Sequence, residues 1–568
     1  MRRLRGIRAL AVAAAALLLA GCAGLPTSGA PNPGLAIGDE GQADPFVFYA
    51  QDPRPGDSPE KIVAGFLEAA ISPARNWETA QEFLTDDFRQ KWKPGAGVTI
   101  DASVTARDLE PSSAPDDDSA KTAEVHAQFD QVASVDADGA YSAQTGPATA
   151  TYQLKRNQDG EWRIAKADDG IVLDAETFLR VYQKYSLKYF DPSWTHLVPD
   201  VRWFPRRPAM ATSIARALIS GKPSGWLAPA VRTAFSDDVA LAGDAVQVDT
   251  SQVASVALTR TALAASSTDL SRMRTQLEAS LAGVGVTEVH FTVDGVPLDA
   301  GTTSVDAEIV DPGVLVLNDE TFGRALTGDA LEPVGELTAQ IAKIADPIRA
   351  VDVSLDARLA AMQLRDGRVF AVTAGNTVEL DDAPGLIEPS LDPFGFTWAV
   401  QRDAPEGLHA WSEQRVLQPI AHAWPGAENI SQLRVSSDGV RVAAVVTTGG
   451  QRRVVVAAVL RGKDSQPMEL GEVHEIGRLD GPTRGLAWVG DDSLAVLSSA
   501  PDPELTTYVV GGPASSSSAP DGADTLAGAK TSTGLRVLSS DGAVYAQRGS
   551  SWQRSLQGVL VLGTRAGY

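Results

Sequence analysis

A turn centred on aspartate recurs through residues 335–568 and constrains the fold more than any other feature of the chain. It appears around Asp356, Asp392, Asp438, Asp491 and Asp541, each time with a strand end running in and an alternating apolar strand running out. The intervals between these aspartates are 36, 46, 53 and 50 residues. A single hairpin cannot bury its own apolar face, so copies must stack, and a period of about 40–50 residues is that of a propeller blade. The spacing predicts an all-β propeller of about five to seven blades. The periods are too long for a β-helix, and a large β-sandwich is the competing architecture. Trp398, Trp411, Trp424, Trp488 and Trp552 recur through the region; most are expected to pack between blades, with one or two exposed at a propeller mouth as an anchor for a partner. The serine run Ser515 to Ser518 reads as a disordered blade loop.

Two smaller α-and-β segments precede this region. Ser58-Pro59-Glu60 opens a helix with its cap and first-turn proline in order, and Val63, Phe66, Leu67, Ala70 and Ile71 share one face. A second helix is expected from Asn76, with Trp77, Ala80, Phe83 and Leu84 inward. Val125, Ala127 and Phe129 alternate as a strand, and Tyr152, Leu154, Trp162 and Ile164 flank a turn at 157–160. The segment Asp159 to Ile164 resembles the hairpin of NTF2-like domains, which implies an α+β cone. Further on, Val198, Val201, Trp203 and Phe204 read as a strand. Ala211, Ile214, Ala215 and Leu218 read as one helix face, and Val246 and Val248 as a second strand. A second helix, capped by Ser267 or Thr268 and stopped by Gly283, carries Leu270, Met273, Leu277 and Leu281. Val289, Phe291 and Val293 lead into an Asp294-Gly295 hairpin turn. This order, with the run at 289–295, resembles the GerMN domain, which implies an α/β layer.

The N-terminus supplies an address. Arg2, Arg3 and Arg5 precede an apolar run from Ala9 to Ala20, too short for a confident membrane span, and Leu19-Ala20-Gly21-Cys22 follows. These four residues resemble the lipobox of bacterial lipoproteins. The resemblance implies cleavage between Gly21 and Cys22, then S-diacylglyceryl and N-acyl modification of Cys22, with palmitate among the chains. Cys22 is the only cysteine, so once it is modified no disulfide, thiol nucleophile or thiolate metal site remains. Formal charge is −23, and loss of Arg2, Arg3, Arg5 and Arg8 with the leader takes it to −27. Such a surface repels phosphate backbones and excludes nucleic acid as a partner.

No motif carries catalysis. The six histidines fall at no ligand spacing, and His474-Glu475 lacks the second histidine of a zincin. There is no nucleophile elbow and no P-loop. Asp116 to Asp118 and Asp136 to Gly139 lack the bidentate glutamate of a calcium loop. The expectation is a non-enzyme with no catalytic residue, no metal and no cofactor.

A lipobox cysteine, the run Gly24 to Gly29, an NTF2-like module, a GerMN-like module and a propeller together resemble the actinobacterial LpqB lipoprotein family. The organisation expected is a signal peptide at 1–21, a lipidated tether at 22–57, an NTF2-like domain at 58–188, a GerMN-like domain at 189–318, a linker at 319–334 and a propeller at 335–568. The fold class is multidomain: an α+β NTF2-like cone, an α/β GerMN-like domain and an all-β C-terminal propeller. The resemblance implies an accessory protein on the extracytoplasmic face of the cell membrane. It would modulate the MtrAB two-component system by contacting the ectodomain of the sensor kinase MtrB, with effects on cell-wall homeostasis and division. The alternative is an envelope module that binds peptidoglycan fragments or another small ligand.

Overall fold

The computed structural model describes residues 50–568, apart from 112–119, 208, 307–312, 327–329, 500–501 and 550. Most of the expected tether, up to residue 49, and the aspartates at 116–118 lie outside the described residues.

The first helix runs over Pro59–Ala69, and Ser58 Oγ accepts from the Lys61 amide at 3.4 Å. It buries Ile62, Val63, Phe66 and Leu67 against a curved sheet. The sheet order is Trp162–Lys166, Tyr141–Arg156, Thr122–Asp136, Gly97–Asp101 and Ile171–Asp174, with only the last pair parallel. The helix expected from Asn76 is a single turn, Glu78–Gln81. Arg75, Asn76 and Trp77 all take positive φ, and Leu84 bridges to Ile164 instead of continuing the helix. Trp77, Ala80, Phe83 and Leu84 are nevertheless buried.

Tyr182–Phe190 and Leu197–Pro205 form an antiparallel hairpin paired from end to end. Beyond it, Met210–Ser220 and Ser267–Leu281 pack side by side over a sheet ordered Val296–Leu298, Glu288–Val293, Val253–Leu258, Gln247–Val248. The strand beginning Val198 therefore joins the hairpin and not this sheet. The strand expected at Val246 is two residues long, and Val248 is exposed. The central strand is Val253–Leu258, which alternates Ala254, Val256 and Leu258 inward. It runs parallel to Glu288–Val293 through the helix that connects them. That helix is capped by Ser266, whose Oγ accepts from the Asp269 amide at 3.1 Å, and Gly285 supplies the left-handed residue after it. Asp294 and Gly295 both take positive φ, as a two-residue type I′ hairpin requires.

Six blades then close a ring; five have four strands and the third has five, because His474–Leu479 also pairs with Gln451–Arg461. Their inner strands are Ile348–Val353, Ser390–Leu391, Asn429–Val435, Thr483–Val489, Ala523–Ala527 and Val561–Arg565, and each touches the next around the circle. We number the blades 1 to 6 in that order. Blade 6 is composite: its inner strand pairs with Leu315–Leu317, followed by Phe322–Ala325 and Leu331–Glu332. Residues 319–334, expected as a linker, thus supply two of its strands. Strands from opposite ends of the region thus close the ring, and the sheet edges that remain are the outer strands of the blades. The serine run is not a loop: Ala514–Ser518 is the outer strand of blade 4, paired with Glu504–Val509. Serine suits an outer strand because backbone pairing, not side-chain burial, holds it there; Ser516 Oγ also meets Thr506 Oγ1 at 2.9 Å.

The aspartate turns around 356, 392, 438 and 491 join first and second strands and lie on one face of the ring. Asp541 joins the second and third strands of blade 5 and so lies on the opposite face. Gly439 shows how tightly the first group packs. It has φ +66°, and a Cβ there would fall 2.4 Å from Phe394 Cε2. Trp398, Trp424 and Trp488 are buried between blades as expected; Trp411 and Trp552 are only half-buried.

Candidate interaction sites

The face bearing the aspartate turns is occupied by the rest of the protein. Lys184 pairs with Asp492 at 2.8 Å, and Lys188 pairs with Asp491. Burial alone would raise the Asp491 carboxyl, but the Lys188 ammonium outweighs it and holds the group below the usual carboxylate range. Trp203 Nε1 donates to the Gly511 carbonyl at 2.9 Å, and His196 meets the Phe394 ring edge-on at 5.7 Å. Val440 and Ala458 of blade 3 belong to the same apolar cluster as the middle-domain helices. The hairpin also grips the first domain: the Trp203 amide donates to Gly139 O at 2.8 Å, and Trp203 packs on Phe178 at 5.0 Å. One two-stranded element thus joins all three domains.

Where the three domains meet lies a cavity of about 510 Å³. Its walls include Asp136, Tyr141, Asp200, Arg202, Trp226 and His474. The Asp200 carboxylate is already satisfied, by Arg202 Nη2 at 2.8 Å, the Ser224 amide at 2.7 Å and Ser224 Oγ at 2.7 Å. Burial pushes the Tyr141 hydroxyl up to about 12. Asp136 Oδ1 accepts from the Asp138 and Ala140 amides, which makes it a turn residue as expected. The cavity is an assembled joint whose polar groups mostly serve one another.

Within this joint Trp226 and His474 stack face to face, 5.7 Å apart and 4° from parallel. Burial lowers the His474 pKa below its ordinary 6.5, against the weaker upward pull of Glu472 and Glu475. In the unfolded chain the imidazole takes up its proton near pH 6.5, whereas in the fold it resists until lower pH. The contribution of His474 is therefore complete above 6.5 and declines as pH falls through that value. Thermal unfolding of the wild-type chain is expected to shift down between about pH 7 and pH 5.5, and His474→Phe, which keeps the stack, should flatten part of that slope. Equal slopes for the two proteins would show that His474 does not carry the effect.

On the far face of the ring the channel opens into a mouth of about 630 Å³. Arg349, Arg365, Arg402 and Arg484 stand around it, with Glu388 and Asp524 between them. Glu388 is shared: Arg349 Nε lies 3.7 Å from one oxygen and Arg434 Nη2 3.4 Å from the other. Deeper in the channel Asp352 is fully enclosed. It accepts from the Leu391 amide at 2.7 Å and from Thr564 Oγ1 at 2.9 Å. Burial pushes its carboxyl up against the pull of Arg434.

Of the residues the sequence singles out, Gly21 and Cys22 lie outside the described residues. No helix among the described residues is long and apolar enough to cross a membrane. No group of three His, Cys, Asp or Glu residues there is placed to hold a metal ion. The arginine mouth has no counterpart in the sequence reading. Its residues come from separate blades, and no local spacing announces them.

Comparison with known proteins resolves the family. A model of the lipoprotein LpqB N-terminal domain matches residues 52–179, and a model of the lipoprotein LpqB beta-propeller domain matches 321–561. The chain belongs to the LpqB lipoprotein family. Between the two matches, a model described as sporulation and spore germination covers 186–299, the segment with the two helices over the small sheet. LpqB of Streptomyces avermitilis is 26% identical over 96% of this chain and 96% of its own. LpqB of Cutibacterium acnes is 27% identical over 99% of this chain and all of its own, and that of Mycobacterium tuberculosis is 27% identical over 86% of each. Among solved structures, TolB from Acinetobacter baumannii aligns with 44% of this chain and 66% of its own, at 13% identity and a TM-score of 0.33. The propeller assignment rests on the strand pairing and on the family match at 321–561.

Proposed function

We propose that this LpqB-family chain is a non-enzymatic lipoprotein held at the extracytoplasmic face of the cell membrane by acyl groups on Cys22. In this reading residues 1–21 are removed between Gly21 and Cys22, and 22–57 tether the folded body. The first domain is an NTF2-like cone acting as a spacer. The protein modulates the MtrAB system by contacting the ectodomain of the kinase MtrB, and so influences cell-wall homeostasis and division.

The observation that carries the reading is the joining of the three domains into one body through the hairpin at 182–205. An adaptor gains from such a build, because a partner bound at one surface is held at a set distance from the anchor. Tethering both partners to one membrane turns their encounter into a local event at high effective concentration. The full acylated chain, held in detergent on beads, is expected to retain the kinase ectodomain at micromolar concentration. Absence of retention, with the ectodomain shown to be folded, would overturn the proposal.

A further inference from the structure

We infer that the far mouth of the propeller channel is a binding site for a small polyanion, a molecule bearing two or more carboxylate or phosphate groups. The inference is separate from the kinase reading and stands or falls without it. Four arginines face one opening against two carboxylates, in a chain whose formal charge is −23. This local reversal of sign calls for a cause. Structural pairing accounts for only part of it. Arg484 has Asp524 at 3.4 Å, and Arg349 has half of Glu388 at 3.7 Å. Arg365 and Arg402 are exposed and have no carboxylate within ion-pair distance among the described residues. Below the rim, Arg434 has a side chain only 5% exposed, shares Glu388, and has an Nε without a partner. Its Nη1 donates to the Leu433 and Pro389 carbonyls, so Arg434 holds Glu388 in place beneath the rim and adds positive charge there.

Chemistry narrows the class. A guanidinium offers a planar fork that matches carboxylate and phosphate oxygens two at a time. Several forks around one mouth favour a ligand with more than one such group. The volume lies within the range of about 300–1,000 Å³ usual for small-molecule sites. The ring explains the position: the lower ends of the inner strands and the turns after the second strands converge there, so rim residues from several blades face a common axis.

The test is calorimetric titration of the full acylated chain in detergent with two probes, citrate for carboxylates and pyrophosphate for phosphates. Saturable binding of one or both is expected, weakening as salt is raised. Arg365→Gln with Arg402→Gln should weaken it by about tenfold or more, and because both side chains are exposed the variant should melt like the wild type. Asp524→Asn, which releases Arg484, should tighten it several-fold. A preference for one probe identifies the anion type. Two results would overturn the inference: no saturable binding of either probe at millimolar concentration, or binding that the double variant leaves unchanged.

Discussion

Replacing Cys22 by alanine is expected to move the whole protein from the membrane to the soluble fraction while leaving its melting curve unchanged. In the proposed function the sulfur carries a diacylglyceryl group and the new terminal amine a further acyl chain. Each buried methylene contributes about 0.8 kcal/mol, so two or three long chains hold a protein almost irreversibly whereas one does not. After residue 50 nothing among the described residues offers a substitute: no helix there is long and apolar enough to span a bilayer. The acidic surface also gives no attraction to anionic headgroups. Fractionation of the host, followed by a high-salt wash, reads the result. A Cys22→Ala chain that stays with the membrane through that wash would contradict the assignment of the anchor.

The second large effect concerns stability. Arg441 is 1% exposed at the turn of blade 3, paired with Asp438 and donating from Nη2 to the Asp491 carbonyl at 2.6 Å. Its guanidinium also lies 4.8 Å from the centre of the buried Trp488 ring. These contacts tie blade 3 to blade 4 under the middle domain. Asp438→Asn would strip that enclosed cation of its hydrogen-bonded counter-charge, and removing one partner of a buried pair costs about 3–5 kcal/mol. The loss should appear as a marked fall in unfolding midpoint. Adding Arg441→Met should return a large part of it, because an apolar side chain of similar length needs no partner. If the single variant melts like the wild type, the pair does not hold the blades together.

Legibility followed the range of the interactions. Features set by neighbours in the chain were readable: the cap at Ser58, the stripe Leu270 to Leu281, the Asp294-Gly295 turn and the recurring aspartate turns. The strand Val253–Leu258 escaped because alanine and serine at alternate positions weaken its pattern, although it is the centre of its sheet. Closure of the ring was invisible for another reason. Leu315–Leu317 finds its partner at 561–563, and no local pattern reports a pairing across that distance. The serine strand failed on composition: backbone hydrogen bonds hold it, and composition does not see them. Of the candidate sites, only the proposed anchor rests on consecutive residues, the four from Leu19 to Cys22. The three-domain joint and the arginine mouth each gather residues from distant segments, so they exist only once the fold does.

Crosslinking in intact cells, started from the acylated protein and read by mass spectrometry of its neighbours, tests the central claim most directly. The account predicts that the ectodomain of the sensor kinase is among the most enriched proteins, and that this enrichment disappears when Cys22 is replaced. Efficient crosslinking to other envelope components, with the kinase expressed but never captured, would contradict it.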